Sequence, residues 1–380
     1  MWKVQLFRLN FDEREVAAVS DVVRSGWLTM GEKTKEFESG FASFTGHGAK
    51  AIAVANGTAA LHLALLALDI GPGDEVIIPS LTFVADINTV VLTGATPVPA
   101  DCSSLTDWNV DPADVERKIS SRTKAVMIVH YAGYPCDMDA ILSLCRRHKL
   151  RLIEDCAHAP GASYHGRSVG TFGDFGCFSF FTNKNLSVGE GGMVTTSSAD
   201  LEQQVLYLRS HGMTTLTLDR HQGRATSYDV VRPGLNYRMD EMRAALGLVQ
   251  LAKLPDAQRE RARIVARYTE ALAGIDGLTI PFAAATDVEP AYHIFPVLLP
   301  EGCDRLRVIE ALKLQGIQSS IHYPALQEFS GFSHLQLDNT PIARDIAHRE
   351  LTLPLYPTMA DDEIELVISA FALAVREGRA

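Results

Sequence analysis

Short apolar runs alternating with helix-like stretches constrain this chain more than any other feature. From residue 50 onward, "KAIAVANG" is followed by "DEVIIPS", "TPVPAD", "KAVMIVHY", "LRLIEDCAH", "DFGCFSFF" and "GGMVTT". Helix-like stretches such as "TAALHLALLALD" and "MDAILSLCRRHK" separate several of them. Strands that alternate with helices predict a mostly parallel sheet covered on both faces, an α/β domain.

Upstream, residues 12–25 place Val16, Val19, Val22 and Val23 on one helical face, with Asp12 as N-cap. After about residue 240 the texture changes. "MDEMRAALGLVQLAKL" and "DAQRERARIVARYTEALAG" predict two long amphipathic helices joined at Pro255. Strand-like "AYHIFPVLLP" and helices over 303–315 and 361–377 follow; in the last, Ile364, Val367, Ile368 and Phe371 recur at helical spacing. The expected division is a large α/β domain over residues 1–250 and a smaller α+β domain over 251–380. Residues 214–230, "TTLTLDRHQGRATSYDV", form a polar connection of a length more often functional or disordered than accidental.

Charge and cysteine usage narrow the function classes. With 35 basic and 46 acidic residues the formal charge is −11, which opposes nucleic-acid or anionic-membrane binding. An anionic ligand would need a local basic pocket. Six cysteines show no C-x-x-C pair or zinc-like spacing, and the N-terminus has no uninterrupted apolar stretch. These features read as a reduced, cytoplasmic protein without a signal peptide or membrane span.

Lys184, in "FSFFTNKNLSVGEGG", stands between an aromatic run and glycines 189, 191 and 192, which allow close backbone packing. The ordinary alternative is a surface lysine. An enclosed lysine loses its proton, because desolvation disfavours the cation, and the neutral amine can form a Schiff base with an aldehyde. Asp155 ends "LRLIEDCAH", at the end of a strand where parallel sheets face their ligand crevice. It reads either as a helix cap or as the carboxylate partner of a pyridinium nitrogen. His158 could bond a phenolic oxygen, or be a satisfied core histidine. In "ANGTAALHLAL", Gly57 and Thr58 open a helix whose N-terminus could hold phosphate, with Ser179 adding a hydroxyl; ordinary N-capping is the alternative. Neither a Walker A sequence nor G-x-G-x-x-G is present at that turn. Phe83 is either core or a ring that stacks on a planar cofactor. Together these are the parts of a pyridoxal 5′-phosphate (PLP) site.

The chain resembles the DegT/DnrJ/EryC1/StrS family of fold-type I, PLP-dependent nucleotide-sugar aminotransferases. The resemblance runs through nearly the whole length. It includes "SGWLTMGEKTKEFE", "NGTAALHLAL", "GDEVIIPSLTFVADIN", "VHYAGYPCDMDAI", "IEDCAHAPGA", "FSFFTNKNLSVGEGGMV", "GLNYRMDEMRAALGLVQL", "GIQSSIHYP" and "LTLPLYPTM".

The resemblance implies a seven-stranded, mostly parallel sheet between helices, with a smaller C-terminal domain. It implies that Lys184 carries the cofactor and shuttles a proton, that Asp155 pairs with the ring nitrogen, that Phe83 stacks, and that His158 touches the ring oxygen. Gly57, Thr58 and Ser179 would hold the phosphate. Asn236 would reach it from a second subunit, which makes a homodimer with shared sites. His322 and Tyr323 would lie near the substrate, with Trp27 and Arg238 as further pocket candidates. Relatives that dehydrate sugars carry histidine in place of the lysine, so Lys184 points to transamination. "HYAG" and the 214–230 loop resemble enzymes that aminate C4 of a nucleotide-linked 4-keto sugar, using L-glutamate or glutamine as donor. Arg220, His221 and Arg224, followed by Arg232 and Arg238, are the expected cations for the nucleotide diphosphate. Alternatives are amination at C3 of a 3-keto sugar nucleotide, a PLP-dependent sugar dehydratase, or a non-catalytic PLP-binding regulator.

Overall fold

Seven of the strands join into one sheet because most of their residues are apolar on both faces. The computed structural model describes residues 2–215, 223, 227–283 and 286–379. Helices α1 (Glu13–Ser25) and α2 (Glu32–Thr45) precede β1 (Lys50–Val54), α3 (Gly57–Ala67), β2 (Glu75–Pro79), α4 (Ala85–Leu92), β3 (Thr96–Ala100) and α5 (Pro112–Arg117). Then come β4 (Thr123–Val129), α6 (Met138–His148), β5 (Arg151–Asp155), the short β6 (Ser163–Tyr164) and β7 (Arg167–Ser168), β8 (Phe175–Ser179), β9 (Gly192–Thr196) and α7 (Ala199–Arg209).

The sheet order is β1-β9-β8-β5-β4-β2-β3. Only β9 runs against the rest, pairing antiparallel with β1 and β8. Alternation along each strand feeds two cores. Val76, Ile78, Met127 and Ile153 pack with α3 and α4 on one face. Ile77, Val126, Ile128 and Leu152 meet Met138, Ile141 and Leu144 of α6 on the other. Both faces are therefore covered, as doubly wound sheets require.

The two helices expected around Pro255 are one helix, α8 (Glu241–Leu272). Proline removes a single i→i−4 bond, and here Pro255 lies on the exposed side, where water can satisfy the freed carbonyl. Packing at both ends then outweighs the local penalty. The first half of α8 joins Phe37 and Phe41 of α2 through Ala244 and Leu254. Its second half, from Ile264, enters a separate core with Val4, Phe295, Val308, Leu351 and Phe371. That second core is built from β11 (Phe295–Leu298), paired antiparallel with β12 (Glu350–Leu353), and from α9 (Arg305–Leu314) and α11 (Asp361–Gly378). A further strand, β10 (Val288–Glu289), adds to β6. The boundary between the cores falls inside a continuous helix, with no linker.

The valine face of α1 is only partly used. Val22 is buried, but Val16 and Val23 are 58% and 55% exposed. The buried polar residue is Glu15, which accepts from Gln250 and pairs with Lys253 of α8. The N-terminus of α2 is capped from a distance. Glu241 accepts the N–H groups of Gly31, Lys33 and Thr34 at 2.7, 2.8 and 2.9 Å, doing for α2 what a side chain at Gly31 cannot. Asp101, just past β3, similarly accepts from Ile342 and Ala343 at the start of α10 (Pro341–Arg349). This fastens the C-terminal part of the chain over the carboxyl ends of the sheet. Among the described residues no helix is long and apolar enough to cross a membrane.

Candidate active site

The carboxyl ends of β2, β4, β5 and β8 surround a cavity of about 460 Å³. Its lining includes Gly57, Thr58, Phe83, Asp155, His158, Ser179, Lys184, His322 and Tyr323, so nine candidates scattered between residues 57 and 323 meet at one place. Trp27, Asn236 and Arg238 are not in that lining. Trp27 packs at Gly31, where a Cβ would fall 2.5 Å from the indole Nε1. Asn236 is exposed beside Ser210, and Arg238 bridges to Val54. Arg232 is engaged elsewhere, by Gln204 and Asp69. Arg220, His221 and Arg224 lie outside the described residues.

Lys184 follows β8 on a loop closed at its base by the Val188 N–H donating to the Phe180 carbonyl (2.9 Å). Its own N–H donates to Phe181 (2.9 Å). Burial lowers its pKa to about 8, with the nearby Asp155 charge opposing the shift. About a tenth of the amine is therefore neutral at pH 7, far more than for an ordinary lysine.

Asp155 ends β5 with Oδ1 accepting the Ala157 N–H at 2.8 Å. Behind it lies Asp86, fully buried in α4, which accepts the Thr82 hydroxyl and keeps Oδ1 without a partner in the protein. Burial and the adjacent Asp155 push Asp86 well above the usual carboxylate range. Of the two neighbouring carboxyls, Asp86 is the one that burial keeps protonated. Asp155 is itself raised by burial, with the Ala157 N–H and the Lys184 charge opposing the shift.

His158 is neutral, because burial first and Lys184 second depress its pKa. Its Nδ1 accepts the Ala132 N–H (3.2 Å), so Nε2 carries the proton and donates to Tyr323 Oη (2.8 Å). His322 is lowered to about 3 by burial and Lys184, and its Nδ1 meets Thr352 Oγ1 at 2.8 Å. Phe83 remains 53% exposed on the cavity wall, 5.6 Å from the Tyr323 ring centre. A phenylalanine left open in this way offers a face for a planar ligand.

At the start of α3, the Asn56 side chain accepts only the Ala59 N–H (2.8 Å). The N–H groups of Gly57 and Thr58 receive no cap from it and border the cavity. A Cβ at Gly57 would stand 2.8 Å from Ser179 Cβ, so glycine is needed for helix and strand to approach this closely. Helix N-terminus, Thr58 and Ser179 together fit a phosphate. The amine of Lys184, the carboxylate of Asp155 and the open ring of Phe83 fit an aromatic aldehyde with a basic ring nitrogen. The residues present therefore suit PLP.

Sequence reasoning missed Asp86, His293, Asn183 and Glu190. Asp86 and His293 are each the single ionisable side chain of a mostly apolar stretch, "FVADINTV" and "HIFPV"; that was the available signal.

Comparison with known proteins agrees with this geometry. Residues 10–372 match the profile of the DegT/DnrJ/EryC1/StrS aminotransferase family. The chain is 42% identical over 369 residues to the spore coat polysaccharide biosynthesis protein SpsC of Bacillus subtilis, covering 94% of this chain and 93% of that one. The aminotransferase TlmJ of Streptoalloteichus hindustanus superimposes with a TM-score of 0.91 at 33% identity over 100% of both chains. Spr1654 of Streptococcus pneumoniae, named as a sugar aminotransferase and solved in its PMP form, gives 0.90 at 32% identity, covering 97% of this chain and 98% of that one. Matched from end to end in sequence and in fold, the chain belongs to the DegT/DnrJ/EryC1/StrS family of PLP-dependent sugar aminotransferases.

Proposed function

We propose that the protein transfers an amino group from L-glutamate or glutamine to C4 of a nucleotide-linked 4-keto sugar, with PLP as cofactor. The observation that carries the reading is that the Lys184 amine, the Asp155 carboxylate and the N-terminus of α3 line one cavity.

Bound there, PLP supplies an aldehyde for amine exchange and a ring that withdraws electrons from the adjoining carbon. Gly57, Thr58 and Ser179 bind its phosphate, and Phe83 stacks on its ring. Asp155 keeps a proton at the ring nitrogen, while Asp86 holds Asp155 in place. Lys184 Nζ would take the proton from the carbon on one side of the transferred nitrogen and return it to the carbon on the other side, a role suited to a lowered pKa. His322 and Tyr323 face the substrate. Arg220, Arg224 and Arg238 offer charge for the diphosphate, and Trp27 a further wall.

We read the assembly as a homodimer in which Asn236 reaches the partner's phosphate. The exposure of Asn236, Val230 and Val231 on one segment supports this. Division into domains at 250/251 belongs to the same reading, with the second core supporting it. Six free thiols, five of them buried, suit a reducing cytoplasm.

The test is a 15N-labelled donor supplied with purified protein, PLP and a panel of nucleotide keto sugars. Label at C4 of a 4-keto sugar is expected. Label at C3 would move the attacked carbon, and loss of a hydroxyl without label would replace transamination by dehydration.

A further inference from the structure

Lys184 is held from behind by a hydrogen-bonded chain whose direction is set by its far end. Asn185 Nδ2 donates to the Ala291 carbonyl at 2.7 Å, and a carbonyl can only accept. The other face of the amide, Oδ1, is therefore what His293 meets, with Nδ1 at 3.0 Å. Nδ1 must carry the proton. His293 is 3% exposed, and burial, with Lys184 and His158 nearby, depresses its pKa well below the usual range. The ring is neutral, and its Nε2 presents a lone pair 3.4 Å from Lys184 Nζ. Arg261 fixes the backbone beneath by donating to the carbonyls of Tyr292, His293 and Leu355.

Two other histidines lie near Lys184, His158 with both ring nitrogens engaged and His322 with Nδ1 engaged. His158 Nδ1 is taken by the Ala132 N–H and its Nε2–H by Tyr323; His322 Nδ1 is on Thr352. Asp155 lines the same cavity, near enough for its charge to act on Lys184.

We propose that His293, held in its Nδ1–H form by Asn185, is a positioning residue that accepts one N–H of Lys184 and so aims the lone pair of Nζ into the cavity. A neutral amine has two N–H groups and one lone pair, so fixing one N–H restricts where the lone pair points. All bonds in the chain run one way, from lysine to imidazole to amide to carbonyl, an arrangement in which each strengthens the next.

The inference rests on Lys184 being the reacting amine, and the experiment separates the two. In 15N-histidine-labelled holoenzyme, the resonances lost in His293→Gln should show a ring protonated at Nδ1 only. His293→Phe, which keeps shape but cannot accept, should lower kcat by about 100-fold with KM for the amino donor within about twofold. His293→Gln, whose Oε1 can accept the same N–H, should recover most of that loss. Should His293→Phe not fold, Asn185→Leu serves instead: the ring should then show both tautomers and kcat should fall. An Nε2–H tautomer in the native protein, or wild-type kcat in His293→Phe, would overturn the proposal. Turnover surviving in Lys184→Ala would overturn instead the role of the lysine, whatever the tautomer of His293.

Discussion

Two adjacent carboxylates at the end of β5 have opposite fates. Glu154 points to one face and is saturated: it accepts the N–H groups of Gly170, Phe172 and Gly173, each at 2.8 Å, and Nε2 of His130 at 3.2 Å. Asp155, one residue on and on the other face, accepts one backbone N–H and lines the cavity. Both are almost wholly buried. A buried charge must be compensated. Glu154 is compensated entirely by its own fold and holds the 170–173 segment. Asp155 is compensated by Asp86 and Lys184 and is left with capacity for a ligand. Unfilled bonding capacity, more than burial or charge, is what distinguishes Asp155 from Glu154.

The comparison breaks most visibly by exchanging the roles. Asp155→Ala should fold with a Tm near the parent and lose about 10³-fold in turnover, the scale on which one preorganised electrostatic partner acts. Equal losses of stability and activity would show that Asp155 is structural. Glu154→Gln should do the reverse. Its amide turns N–H toward groups that are themselves donors, leaving buried donors unpaired at about 2–3 kcal/mol in denaturant unfolding, with turnover per folded molecule nearly intact.

A smaller effect sharpens the pairing of Asp86 with Asp155. Asp86→Asn keeps an uncharged polar side chain beside Asp155 and should retain turnover within about tenfold, whereas Asp86→Ala removes it and should fall further. Comparing their kcat values checks this; identical values would remove Asp86 from the site.

The pH dependence is the mildest probe. With its pKa lowered to about 8, Lys184 in the cofactor-free protein binds fewer protons than it does unfolded between that value and the ordinary lysine range. Its contribution to stability therefore rises with pH across that window and is lost as pH falls through about 8. Modification of Lys184 by an amine-selective reagent, followed by mass spectrometry, should reach half its maximal rate near pH 8. A midpoint in the ordinary lysine range would mean that burial does not act on this amine.

Much of this was legible in advance, and the reasons differ by residue. Lys184, Asp155, Phe83 and Gly57 were readable because strand ends and helix starts are local patterns, and a parallel sheet gathers strand ends at one side. Asn236, Trp27 and Arg238 were harder to place. Their positions depend on pairings such as Ser210 with Asn236 and Val54 with Arg238, which have no local signature. Pro255 misled because its penalty is local while the compensation, two cores gripping one helix, is not. His293 and Asp86 escaped notice because a lone polar residue in an apolar run usually reads as a satisfied core group. Only their surroundings, the chain through Asn185 to Ala291 in one case and the neighbouring Asp155 in the other, single them out.

The most direct test of the difference between the two β5 carboxylates is the visible absorption spectrum of the PLP-loaded protein, recorded before and after adding L-glutamate, for the parent, Glu154→Gln and Asp155→Ala. The cavity described here predicts a yellow parent that bleaches, a Glu154→Gln protein that bleaches likewise, and an Asp155→Ala protein that bleaches hardly at all. An Asp155→Ala protein that bleaches at the parent's rate, or a parent that stays colourless with PLP, would contradict it.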